Sequence, residues 1–113
     1  MSLPANNLFR GEVYLVDLNP TKGSEINKCR PCVVMGANPI NKARSTIVVV
    51  PLSSSPTPRP PLIISIHSMG ANSVVVCDQI RAIDKSRIVK KIGELNTQEM
   101  HDLEEGLRQV LVL

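Results

Sequence analysis

With 113 residues and 42% hydrophobic content, the chain is long enough for one domain with its own core and needs no disulfide staples; aromatics make up only 2%, so that core must be aliphatic. No apolar run approaches the length of a membrane span and the N-terminus lacks the apolar stretch of a signal peptide, so a soluble, cytoplasmic protein is expected. The net charge of +3 hides an asymmetry: from residue 94 onward five acids face only Arg108, for −4, and residues 1–93 carry +7, a distribution that suits an anionic partner such as nucleic acid or a merely solvated surface.

Residues 1–9, with Pro4 and two asparagines, read as a flexible tail, and residues 10–113 as a single domain. Arg10 and Gly11 punctuate the start of a strand over residues 13–18, apolar at nearly every position and so expected to be buried on much of both faces. A long polar loop follows, over residues 20–31. Loops of that length in a small domain are usually functional or disordered. This one holds the hinge Gly23, the hydroxyl of Ser24, the carboxylate of Glu25 and the guanidinium of Arg30, a set able to grip and polarise a phosphate.

A second strand is predicted at residues 32–35, and residues 36–44 read as a turn region marked by Asn38-Pro39 and Asn41. Residues 46–52 form the clearest strand; Pro51 fits its end or an edge, because proline cannot donate to a ladder. Ser53 opens a loop that becomes proline-rich at residues 56–61, a semi-rigid arm expected to project over a binding face, where Arg59 could meet a phosphate. Strands follow at residues 62–66 and 73–77 around a turn at residues 68–72. Asp78, Gln79 and Arg81 lie just beyond that buried run, where ordinary turn chemistry competes with a functional role.

A last strand is predicted at residues 88–92, then a helix with a clear start: Asn96 as N-cap, Glu99 three residues on, and Leu95 able to staple to Met100. Met100, Leu103, Leu107, Val110 and Leu111 keep helical spacing, so one stripe docks on the strands or on a partner. Many short strands and one terminal helix predict a mainly β fold, a small barrel with a helical cover.

Cys29, Cys32 and Cys77 are too few for a disulfide framework. Cys29 and Cys32 form a C-x-x-C, but redox chemistry normally places the first cysteine at a helix N-terminus. Here the motif runs into a β-branched strand. Zinc is disfavoured as well, because no second cysteine pair exists and His67 and His101 stand apart.

Taken together, Arg10-Gly11-Glu12-Val13, Asp17-Leu18-Asn19-Pro20, Gly23-Ser24-Glu25 and Arg30-Pro31 closely resemble the MazF/PemK/Kid toxins of toxin–antitoxin systems. The likeness continues through Val49-Val50-Pro51-Leu52-Ser53, then Val76-Cys77-Asp78-Gln79-Ile80-Arg81 and Ile83-Asp84, over roughly residues 10–112. The resemblance implies an SH3-like barrel of the CcdB/Kid type and a homodimer. It also implies an endoribonuclease cutting single-stranded RNA at short motifs with no metal and no cofactor. The ribose 2′-hydroxyl would be the nucleophile, leaving a 2′,3′-cyclic phosphate. A cognate antitoxin would cover the RNA site, and operator DNA would be met only through the antitoxin complex.

Transesterification of this kind needs a proton acceptor, a group serving the leaving oxygen, and positive charge on the phosphorane. Arg30 supplies the charge, since a guanidinium holds two phosphate oxygens at once; a salt bridge to Glu25 or Asp17 is its structural alternative. Ser53 stands where family members typically carry threonine, and would orient the phosphate or pass a proton; otherwise it caps a strand end. Asp78 is either a base contact or the proton acceptor. Ser24, Glu25 and Gln79 read as recognition residues, with Arg59 and Arg81 as further RNA contacts. Some family members carry a histidine where this chain has Ser24 and an arginine where it has Val76, so a mechanism relying on those two groups cannot run here. Two rivals remain in view. A CcdB-type gyrase-binding toxin depends on a Trp-Gly-Ile ending, whereas this chain ends Leu111, Val112, Leu113; a catalytically silent RNA-binding barrel is separated only by an activity assay.

Overall fold

The structure, a computed structural model, describes residues 8–20, 22–23, 28–54, 56–70 and 72–113. Seven strands, β1 (Glu12–Asp17), β2 (Cys29–Val34), β3 (Thr46–Ser53), β4 (Ile63–Ser65), β5 (Val74–Val76), β6 (Arg81–Asp84) and β7 (Ile88–Glu94), form one antiparallel sheet in the order β4-β5-β3-β2-β1-β7, with β6 paired to the first half of β3. Among the described residues two α-helices complete the fold, α1 (Asn38–Ala43) and the C-terminal α2 (Thr97–Leu111). The expected mainly β architecture with a terminal helix is what the structure holds. Among the described residues no helix is long and apolar enough to cross a membrane.

The continuous apolar runs follow from the strands being covered twice. Side chains alternate across a strand, and here both sets are buried. Val13, Val33, Val50, Leu52 and Val75 pack on one face with Leu103 and Leu107 of α2. Tyr14, Val16, Leu18, Cys32, Val34, Ile47, Val49 and Ile83 fill the other, where the sheet curls and β6 closes over it. Leu8, placed in the tail by the sequence reading, is buried in this second cluster. Fully burying one such Val or Leu contributes about 1.5–3 kcal/mol.

Three sequence expectations change. The turn region at residues 36–44 contains α1: Pro39 lies at its first positions, where a missing N–H is harmless, and the buried Asn41 donates from Nδ2 to the Gly36 carbonyl at 2.8 Å. No strand is predicted at residues 81–84, where Arg81 reads as turn chemistry and only Ile83 is buried; backbone pairing from Thr46↔Asp84 to Val49↔Arg81 makes them the strand β6. Pro51 stands inside β3 rather than at its end. The Met35 N–H donates to the Val48 carbonyl at 2.9 Å, so even-numbered residues of β3 turn their backbone toward β2 and the Pro51 nitrogen faces the other edge. There it falls in the gap between Val49↔Arg81 and Leu52↔Val75, where β3 passes from β6 to β5. The missing donor breaks no rung on that edge.

The start of α2 is as the sequence predicts. The Asn96 side chain accepts the Glu99 N–H at 2.8 Å and the Glu99 carboxylate accepts the Asn96 N–H at 3.0 Å. That carboxylate reaches further, accepting the N–H groups of His67 (2.8 Å) and Ser68 (3.0 Å) and the Ser68 hydroxyl (2.5 Å). The helix thereby fixes the turn between β4 and β5. Gly106 lets α2 sit this close: a Cβ there would meet Ile64 Cδ1 at 2.6 Å and the Pro61 carbonyl oxygen at 3.0 Å.

Candidate active site

The ends of β2 and β3 meet in a small cleft. Their register runs Cys32↔Pro51, Val33↔Val50 and Val34↔Val49. Continued two residues outward, it sets Arg30 across from Ser53, and both are half-buried. Together with Pro31, Leu52, Ser54, Met69 and Ser73 they line a cavity of about 110 Å³. Leu52 and Pro31 are apolar, so charge placed between Arg30 and Ser53 is only partly screened by water, and a guanidinium–phosphate contact gains strength accordingly. Ser54 and Ser73 also line an adjoining polar hollow of about 290 Å³ with Pro56, Pro58, Ser65 and Asn72. A cleft and a hollow sharing a serine edge can hold a phosphate and the nucleotides beside it.

Of the residues singled out in the sequence, Arg30 and Ser53 are brought together. Asp78 is not brought to them. It sits exposed on a one-turn 3-10 helix, Cys77–Gln79, and shares a separate hollow of about 480 Å³ with Gln79, Ile80, Arg81 and Ala82. Arg81 is half-buried, with its charge close enough to act on the Cys32 thiol; burial, the larger influence, still pushes that thiol up to about 12. Arg59 is exposed and its backbone is paired in both directions with Ile63, at 2.8 and 2.9 Å. The proline arm therefore does not float free. Pro58, Pro60 and Pro61 wall a cleft of about 560 Å³ against Gln98, Asp102 and Glu105 of α2, while Pro56 and Pro58 border the polar hollow. Ser24 and Glu25 lie outside the described residues.

Met69 and Ser73 belong to the cleft and no local sequence signal marks them. They arrive because Glu99 holds the turn that carries them, and Ser73 Oγ donates to the Met69 carbonyl at 2.9 Å. Cys29 is exposed and Cys32 buried, on a strand as the β-branched run predicts. Among the described residues no three His, Cys, Asp or Glu side chains converge as a metal-binding group.

A curled antiparallel sheet with a covering helix, and an arginine and a hydroxyl facing each other at its strand ends, defines the class as a small β-barrel-type protein with a polar cleft at the sheet's end. The family model of PemK-like, MazF-like toxins of type II toxin–antitoxin systems matches residues 9–111. The chain belongs to that family. It is 33% identical over 108 residues to "Endoribonuclease MazF9" of Mycobacterium tuberculosis, covering 88% of this chain and 92% of that protein. Its fold is similar to the crystal structure of MazF from Deinococcus radiodurans (TM-score 0.80, 21% identity, covering 93% of this chain and 96% of the other). It is also similar to an endoribonuclease in complex with its cognate antitoxin from a mycobacterial species (TM-score 0.76, 22% identity, 93% and 95% covered).

Proposed function

We propose that this toxin is an endoribonuclease that cleaves single-stranded RNA by transesterification in the Arg30–Ser53 cleft. The 2′-oxygen attacks the adjacent phosphorus, the P–O5′ bond breaks, and a 2′,3′-cyclic phosphate and a 5′-hydroxyl result. The 2′-hydroxyl proton is lost as the P–O2′ bond forms, and the departing 5′-oxygen gains one. The observation carrying this reading is the meeting of Arg30 and Ser53, from two different strands, at one apolar-floored cleft. Arg30 offers parallel N–H groups to two non-bridging oxygens and stabilises the charge that builds on the phosphorane. Ser53 donates to a phosphate oxygen or relays a proton.

Asp78, Gln79 and Arg81 share their own hollow, away from that pair, so base-edge contact is the role the geometry favours for Asp78. Arg59 and the Ser54–Ser73 edge extend the strand's path, and Ser24 and Glu25 supply recognition from the β1–β2 loop. An antitoxin with an acidic segment complements the +7 of residues 1–93 and would cover the same cleft. Operator DNA is engaged through that complex, and the toxin acts in the cytoplasm, where its RNA is. A homodimer is supported by the apolar end of the chain: Val112 and Leu113 are 88% and 80% exposed beside a hollow that includes Met35, Val48 and Ile80.

The test is to incubate protein with a long single-stranded RNA in excess EDTA, beside Arg30→Ala, and to examine fragment ends. Discrete cuts bearing cyclic phosphate and lost in a folded Arg30→Ala variant are expected. A variant that cuts like wild type would overturn the assignment.

A further inference from the structure

We infer that Arg87 is a positioning residue for the Arg30–Ser53 cleft, acting through the base of the β1–β2 loop. This rests on the catalytic reading above. β7 pairs with β1 only as far as Val16↔Ile88, so the ladder ends one residue short of Asp17. Arg87, the next residue out, continues it with its side chain: Nη1 donates to the Asp17 carbonyl at 3.1 Å and to the Asn19 carbonyl. The guanidinium thus replaces the missing strand at the end of β1.

From there the contacts run to Arg30 through described residues alone. The Asn19 side chain accepts the Lys28 N–H at 3.0 Å, and the Leu18 N–H donates to the Lys28 carbonyl at 3.0 Å. Lys28 has φ +67, a left-handed conformation that a residue with a Cβ holds only when its surroundings impose it. Those two hydrogen bonds impose it, and that residue sets the direction in which β2 starts. Arg30 lies two residues on, one rung inside Asp17↔Cys29. Arg87 is itself well placed to act: it closes a one-turn 3-10 helix, Lys85–Arg87, capped where the Asp84 side chain accepts the Ser86 N–H at 2.8 Å. Released from Arg87, Asn19 and Lys28 no longer fix the approach to β2, and the guanidinium of Arg30 loses its register with Ser53.

The experiment measures kcat and KM on a short single-stranded RNA carrying one cleavage site, with thermal unfolding recorded for every variant. Arg87→Ala should lower kcat about tenfold or more with KM and the salt dependence of binding unchanged, since positioning acts on the reacting geometry. Arg87→Lys, whose ammonium can still donate to both carbonyls, should recover most of the loss. Asn19→Ala breaks the same chain at its next link and stands in if Arg87→Ala fails to fold. The two substitutions combined should cost little more than the larger one alone. An Arg87→Ala kcat equal to wild type overturns the inference. So does a raised KM with a shallower salt dependence, which would make Arg87 a phosphate contact, and so do fully additive losses. Arg30→Ala run alongside separates the two levels: if it cleaves normally the catalytic assignment falls, and if it is silent while Arg87→Ala is fully active, only the positioning role falls.

Discussion

Replacing Glu99 by glutamine probes a buried carboxylate on which both α2 and the turn over the cleft depend. Glu99 is 7% exposed. One oxygen accepts the His67 and Ser68 N–H groups; the other accepts the Ser68 hydroxyl and the Asn96 N–H. Glutamine keeps one acceptor oxygen, which can serve His67 and Ser68. Its amide then faces the Asn96 N–H, donor against donor, and the remaining bonds lose their charge. A hydrogen bond to a charged group is worth about 1.5–3 kcal/mol and a stranded buried donor costs about 1–3 kcal/mol, so Glu99→Gln should destabilise by about 2–3 kcal/mol. For a domain of this size that is about 8–12 °C in Tm. Glu99→Ala, which removes every partner, should cost about 3–5 kcal/mol.

The dependence on pH supplies the sharper check. Burial raises the Glu99 pKa, but the Ser68, Asn96 and His67 hydrogen bonds outweigh it and hold the group below its ordinary 4.5. A carboxyl depressed on folding stabilises above its unfolded pKa, and that stability is lost as pH falls through the folded value. The gap between wild type and Glu99→Gln in urea unfolding should therefore be full at pH 7, begin to narrow as pH falls past the ordinary 4.5, and close only below the depressed folded value, where both side chains are neutral. A gap that persists undiminished in acid, or no gap at pH 7, would rule out the Glu99 carboxylate as the charged acceptor for this turn. Because the same carboxylate carries the turn bearing Met69, RNA cleavage by the folded variant should fall as well.

Other substitutions address other links. Gly106→Ala should destabilise by up to about 2 kcal/mol in chemical unfolding: alanine is the better helix former by about 1 kcal/mol, but its Cβ would press on Ile64 and on the rigid Pro61 carbonyl, and overpacking costs about 1–3 kcal/mol. Ser53→Ala should slow RNA cleavage about tenfold or more while Ser53→Thr, which keeps the hydroxyl, preserves it; equal rates for both would make Ser53 structural. Thiol titration with a disulfide reagent at pH 8 should find Cys29 reactive in the native protein and Cys32 and Cys77 only after denaturation, because burial raises their thiols to about 12 and about 11 and shields them.

How much of this is legible in the sequence depends on whether the interactions are local. The helix start at Asn96 and Glu99 lies within four residues, and a capping box needs nothing else. The Val and Ile runs gave six of the seven strands, since burial on both faces leaves an unbroken apolar signature. The missed strand, β6, is held by backbone bonds to β3, which leave no mark in side-chain composition, and it reads as a polar turn. α1 hid for a related reason: its Asn-Pro start is a turn signal as much as a helix start, and its one buried side chain, Asn41, is polar.

The site divides the same way. Arg30 and Ser53 were identifiable as residue types at motif positions, and the sequence alone determined which family the chain belongs to, its aliphatic core and its acidic terminal helix. It takes the folded chain to bring these two side chains into one cleft while Asp78 faces another, to complete the lining with Met69 and Ser73, and to let Arg87 grip the far end of β1. The reason is physical. Register between strands and the reach of one side chain to a distant carbonyl are long-range contacts, set when the sheet curls and α2 docks, and no window of neighbouring residues contains them.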